Sequence, residues 1–339
     1  MSVDDIMKSI TAGLTGNAQK DIQFLRDQIA FRSSQENGRE IEQECNRLIF
    51  SMLPTETKDR FTDLMNRDAK TWHGIISEAD LNMSHHNVDQ VIQILEPVVS
   101  DLYQLEQFFY LDDPQTEYHN FTELFEELLY RELSHSELDY KPVPIPFCAL
   151  YSRYSSALFE KDRCGDAAEC LEKALRWNPV DTNLMFEYAE CHKASGNLDR
   201  FYQITLGVCE VAFRPESLAR CYRNLAYFFA EKEQWDVGAS CIFMSQQYDP
   251  ESEIARNELE YIEHSSGKPV SDQSFLKFQQ YCSRYNLPMG ASDAVLGTAY
   301  SYGHYFLQNG RNDIAKYLLT IFYNLTYNED VKAILDGLQ

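Results

Sequence analysis

Three prolines constrain this chain most: Pro179, Pro215 and Pro250, spaced 36 and 35 residues apart. Each closes a stretch long enough for two helices. A fixed period of about 20 to 50 residues marks a repeat architecture, in which single units cannot bury their own apolar faces and must stack.

The residues between the prolines carry helical periodicity. Tyr222, Leu225, Ala226 and Phe229 recur at i, i+3, i+4 and i+7, one face of a helix. Trp235, Gly238, Ile242 and Ser245 mark the next helix, with small residues where two backbones approach closely. The stretch from Cys148 to Pro179 repeats the arrangement, with Tyr151, Tyr154, Ser155 and Leu158, then Ala167, Leu171 and Ala174. Between them lies a looser unit with Met185, Tyr188, Ala189 and His192, then a Gly196-Asn197 turn. A fourth unit holds Ala299, Tyr302, Gly303 and Phe306, then Ala315, Leu319 and Phe322.

This pattern resembles the tetratricopeptide repeat (TPR), a helix–turn–helix unit of about 34 residues. Its small residues correspond to Ser155 and Ala167, Ala226 and Gly238, and Gly303 and Ala315. The second unit departs, with Phe201 in place of a small residue and Pro215 two residues late. The resemblance covers about residues 148–252 and 296–329. It implies an all-α fold, a right-handed superhelix of stacked antiparallel hairpins with an additional helical N-terminal region.

Two regions are expected. Residues 1–140 form an acidic helical region with one degenerate hairpin, Trp72 to Leu105, in which Pro97 should kink or end the second helix. Residues 2–53 read as two or three helices and 55–67 as a short one. Asp112-Asp113-Pro114 opens a loop, and Phe121 to Leu133 is expected to be helical. The cluster Pro142, Pro144 and Pro146 is the candidate boundary. Residues 141–339 form the TPR-like array, with an inserted helix near 270–286 between Gly267-Lys268-Pro269 and Pro288-Met289-Gly290, and a capping helix from Glu329 to Leu338. No strand pattern is evident.

Charge narrows the partners. The 339 residues carry a net charge of −23, of which −16 falls in residues 1–140, from 27 acidic and 11 basic groups. From Thr71 to Tyr130 there is no Lys or Arg. That field repels a phosphate backbone, so no nucleic-acid partner is expected. No run of about 18 apolar residues occurs, so no membrane span is expected. The start, Met1-Ser2-Val3-Asp4-Asp5, does not read as a secretory signal. Nine cysteines without a C-x-x-C pair read as reduced core residues, and a cytoplasmic location is expected.

No nucleotide-binding, hydrolase or metalloprotease motif is present, so neither an enzyme nor a cofactor is expected. His85-His86 reads as a polar turn and not as a metal site. The TPR resemblance instead implies a protein- or peptide-binding scaffold whose first helices line a concave face. Carried onto this chain, that face holds Asn183, Phe186 and Glu190, then Arg220, Arg223, Asn224 and Tyr227, then Tyr300 and His304. Ser152 and Ser156 stand where the family's carboxylate clamp has Lys and Asn, so that clamp is not reproduced. Arg220 and Arg223 are expected to hold an acidic group, at roughly 2–5 kcal/mol if buried. The alternatives are a peptide- or small-ligand-sensing regulator, and an all-helical enzyme with a site assembled from distant residues.

Overall fold

A computed structural model describes residues 2–35, 37–109, 111, 113, 115–267, 269 and 273–338. Met1, Asp112, Pro114 and Lys268, and positions 270–272 of the expected insert, lie outside the described residues. Among the described residues the chain forms 18 α-helices and two short strands. In chain order the first part comprises α1 (Val3–Ala12), α2 (Ala18–Arg32), α3 (Gly38–Met52), α4 (Thr55–Asn66), α5 (Ala69–Ser84), α6 (Val88–Leu105), β1 (Thr116–His119), α7 (Leu124–Ser134), β2 (Asp139–Pro142) and α8 (Phe147–Phe159). There follow α9 (Cys164–Trp177), α10 (Thr182–Ala194), α11 (Leu198–Val211), α12 (Pro215–Glu231), α13 (Trp235–Tyr248), α14 (Glu253–Ser266), α15 (Phe275–Tyr285), α16 (Asp293–Gln308), α17 (Asn312–Thr326) and α18 (Glu329–Gly337).

The chain divides into two compact units, residues 1–120 with 137–161, and residues 121–136 with 162–339. In the first unit α2 packs on α3, and α5, α6 and α8 pack on one another. Val91, Leu95, Val98, Val99, Leu102 and Leu105 of α6 are all buried. That stripe explains why α6 runs unbroken past Pro97 to Leu105, where an early end was one expectation. The buried apolar face offsets the roughly 3 kcal/mol that an interior proline costs. The strands correct the expectation that none would occur. β1 and β2 pair in parallel, Thr116 opposite Asp139 and His119 opposite Pro142. Four residues each are too few to show alternation, and Pro142 sits at the end of its strand, where a missing donor is tolerated. The proline cluster lies inside this unit.

In the second unit α10 packs on α9 and α11, α12 on α11 and α13, and α13 on α14 and α15. The first expected hairpin is divided, α8 belonging to the first unit and α9 to the second. Pro215 does not close a helix but opens α12 at its first turn, where a missing N–H has no intrahelical partner to lose. α14 lies in the stretch between residues 252 and 296 that the TPR resemblance does not cover. Its Ser252 cap accepts from the Ala255 amide, and Gly267 ends it at φ 67°.

One turn recurs through the chain. His86, Gly196, Glu233 and Gly310 each take a left-handed conformation, with φ between 57° and 74°. After each, the next amide reaches back five residues: Asn87 to the Asn82 carbonyl at 2.9 Å, Asn197 to His192 at 2.8 Å, Gln234 to Phe229 at 2.8 Å and Arg311 to Phe306 at 2.9 Å. This pattern satisfies the last carbonyls of the first helix and turns the chain for the second.

The fourth hairpin does not continue the stack. Tyr222 Oη donates to the Pro288 carbonyl at 3.0 Å and accepts from the Gly290 amide at 2.7 Å. Ser292 Oγ then donates to the Glu210 carbonyl at 2.7 Å. The chain is thereby returned so that α16 packs against α7 and α11.

Candidate binding face on α10, α12 and α14

Arg220, Arg223, Asn224 and Tyr227 follow one another at helical spacing along a single face of α12, whose first turn is set by Pro215. α10 is positioned by the Asp181 cap, which accepts from the Asn183 and Leu184 amides. It contributes Phe186, Glu187, Glu190 and Lys193 to the same surroundings. The Arg220 guanidinium lies over the Phe186 ring at 4.4 Å and reaches Glu187 at 3.7 Å and Glu190 at 3.9 Å. Lys193 Nζ lies 3.4 Å from Glu190 and 4.3 Å over the Tyr227 ring. Tyr227 also meets Phe201 edge-on at 5.8 Å. Arg223, only 12% exposed, donates to Ser245 Oγ at 3.3 Å and faces Asp249 at 3.7 Å.

Two polar atoms in this surface have no partner. Asn224 is 7% exposed, and its Nδ2 is buried without a hydrogen bond. Glu258 of α14 has a buried Oε2 in the same condition. Burial pushes the Glu258 carboxyl up to about 7, although Arg223 and Lys193 pull it down; Glu190 adds to the rise. Burial also raises the Tyr227 hydroxyl, reinforced by Glu231, Tyr261 and Glu190. An unpaired buried donor and acceptor cost roughly 1–3 kcal/mol each unless a ligand or water completes them.

The structure thus brings together Phe186, Arg220, Arg223, Asn224 and Tyr227 among the expected residues. Asn183 is exposed in the first turn of α10, on the side of Phe186 and Glu190. The Tyr300 and His304 rings meet at a tilt, with centroids 4.4 Å apart, and Tyr300 packs on Phe322 at 5.1 Å. They sit on α16, whose packing partners are α7, α11 and α17, away from this face. Ser156 donates back to the Ser152 carbonyl of its own helix α8 at 2.9 Å. The residues that sequence reasoning missed are Glu187, Lys193, Asp249 and Glu258. Glu187 and Lys193 recur one turn to either side of Glu190, a signal that was available; Glu258 follows only once α14 is recognised.

In the second unit, Glu123 pairs with Arg214 and with Tyr317 Oη, both at 2.5 Å, beside a cleft of about 540 Å³. In the first unit, His86 lines a cleft of about 750 Å³ with Glu78, Asn82 and Asp89. Among the described residues no group of three or more His, Cys, Asp or Glu is arranged to hold a metal. Burial holds the Cys191 thiol up at about 12 and those of Cys45 and Cys282 at about 11, so they remain protonated. Among the described residues no helix is long and apolar enough to cross a membrane.

No protein-family model matches this chain, and no curated protein matches it. Among solved structures it is similar to the crystal structure of the C-terminal part of a TPR repeat-containing protein from Cytophaga hutchinsonii. The identity is 12%, over 78% of this chain and 99% of that one, with a TM-score of 0.27.

Proposed function

We propose that the chain is a non-catalytic TPR-like scaffold that binds a protein or peptide segment along α10, α12 and α14. The observation that carries this reading is Asn224, a buried amide whose Nδ2 has no partner, on the α12 side that also holds Arg220, Arg223 and Tyr227. A donor so placed gains most from a ligand carbonyl, because binding removes a desolvation cost already present in the free chain. Tyr227 and the half-exposed Tyr261 add apolar area with a polar tip, suited to a segment of alternating chemistry. The hairpins with their recurring turn supply a rigid base for it.

The test is selection of random displayed peptides on the full chain, followed by titration calorimetry of the selected sequences. Asn224→Ala and Tyr227→Ala are each expected to weaken them about tenfold or more. Selected peptides that bind both variants as tightly as the parent chain would remove this face from the reaction.

A further inference from the structure

We infer, resting on the binding face above, that the segment held there is basic: a lysine or arginine side chain meets Glu258 while a neighbouring backbone carbonyl accepts from Asn224 Nδ2. The cations of this face are already committed. Lys193 is paired with Glu190, Arg220 with Glu187 and Glu190, and Arg223 with Asp249. An acidic ligand would exchange these pairs for its own and leave a protein carboxylate stranded, with little net gain. Four carboxylates, Glu187, Glu190, Asp249 and Glu258, stand against three cations, and Glu258 is the one with neither ion pair nor hydrogen bond to its buried oxygen.

Glu258 as a residue is half-buried, so a cation can approach it from the open side. Tyr261, one turn further along α14, is 53% exposed and offers a ring face to the same cation, as Tyr227 does to Lys193. Asn224 presents its amide by turning about its terminal torsion, which is soft. The net charge of −23 steers a basic segment toward the chain from a distance.

The ionised form of Glu258 is the one that binds a cation. The charged groups that act on it are Arg223 of α12, together with Lys193 and Glu190 of α10; Asp249, at the end of α13, is paired with that Arg223. With its carboxyl at about 7, roughly one-tenth is ionised at pH 6 and nine-tenths at pH 8.

The experiment is fluorescence anisotropy of two end-capped decapeptides, alternating Lys/Gly and alternating Glu/Gly, titrated with the full chain. Salt near physiological strength screens diffuse attraction beyond about 8 Å. The Lys/Gly peptide is expected to bind and the Glu/Gly peptide to fail. Glu258→Gln should weaken the former tenfold or more, whereas Glu56→Gln, an exposed change in the first unit, should leave it unaltered. Affinity should rise about tenfold from pH 6 to pH 8 in the parent chain and stay flat in Glu258→Gln. Equal binding by parent and Glu258→Gln would reduce the effect to diffuse attraction and overturn the inference. Binding of the Glu/Gly peptide, lost in Asn224→Ala, would overturn the basic ligand but keep the face. Failure of both peptides would overturn the inference as well, while peptide selection decides separately whether the face binds segments at all.

Discussion

Removing one hydroxyl should loosen the return of the chain from α15 to α16. Tyr222 has no exposed surface, and its Oη makes two bonds to the link that precedes α16, to the Pro288 carbonyl and from the Gly290 amide. Tyr222→Phe keeps the ring and its contacts with Tyr248 and Phe278, whose centroids lie 6.0 Å and 5.6 Å away. What is lost is therefore polar. Pro288 is half-exposed, so water replaces its partner and the loss is about 1 kcal/mol. Gly290 is buried and cannot be rescued in this way; its stranded N–H costs about 1–3 kcal/mol. Together these destabilise the second unit by about 2–4 kcal/mol. Urea unfolding followed by tryptophan fluorescence reads this directly, since Trp177 and Trp235 lie in the second unit and Trp72 in the first. With a slope near 3 kcal/mol/M the midpoint should fall by about 1 M, with the slope unchanged. The Gly290 amide should also exchange its hydrogen faster. A loss below about 0.5 kcal/mol, within the range of an ordinary surface change, would refute the claim that this hydroxyl anchors the link.

Three further outcomes follow from the same structure. Asn178→Ala removes the Nδ2 donor that meets Glu126 Oε2 at 3.0 Å in a buried site, and should cost about 1–3 kcal/mol in the same unfolding experiment. Glu258 holds its proton to about 7 when folded but to its usual 4.5 when unfolded, so the folded state binds more protons between those values and stability falls as pH rises through that window. Glu258→Gln should flatten that fall and gain at most about 3 kcal/mol at pH 8, as read from paired unfolding curves at pH 5 and 8. Two glycines of α16 should respond oppositely to alanine in thermal unfolding. At Gly297 an added Cβ meets nothing within 4 Å and should stabilise by about 0.5–1 kcal/mol, whereas at Gly303 it would lie 2.7 Å from Leu319 Cδ2 and should cost about 1 kcal/mol net.

Much of the helical framework was legible because apolar period is local information. Ile41, Cys45 and Ile49 are buried along α3, and Val91, Leu95 and Val98 along α6, as their spacing implied. α14 was not read, because its buried residues are only Ala255 and Ile262 and its exposed apolar ones, Ile254 and Tyr261, blur the face. The strands escaped because a four-residue pairing between positions 116 and 139 depends on a partner, not on its own pattern. For the candidate face, the α12 residues were legible as a single helix side. Their pairing with Glu187, Glu190 and Asp249 was not, because the register between neighbouring helices is set by packing.

The sequence by itself determined a helical chain with hairpins of similar length, turned at Gly196 and Gly310, and strongly acidic. These follow from side-chain period, turn chemistry and ionisation, all of which act over a few residues. Only the tertiary structure decided that α8 and α9 belong to separate units, and that α16 returns to α7 and α11 instead of extending the stack. It also decided that the arginines of α12 are matched by carboxylates of their own chain while Glu258 is left unmatched. The reason is physical: which of several apolar faces meet, and which charges are then buried together, is chosen by the packing of whole elements, and no short stretch of sequence contains that choice.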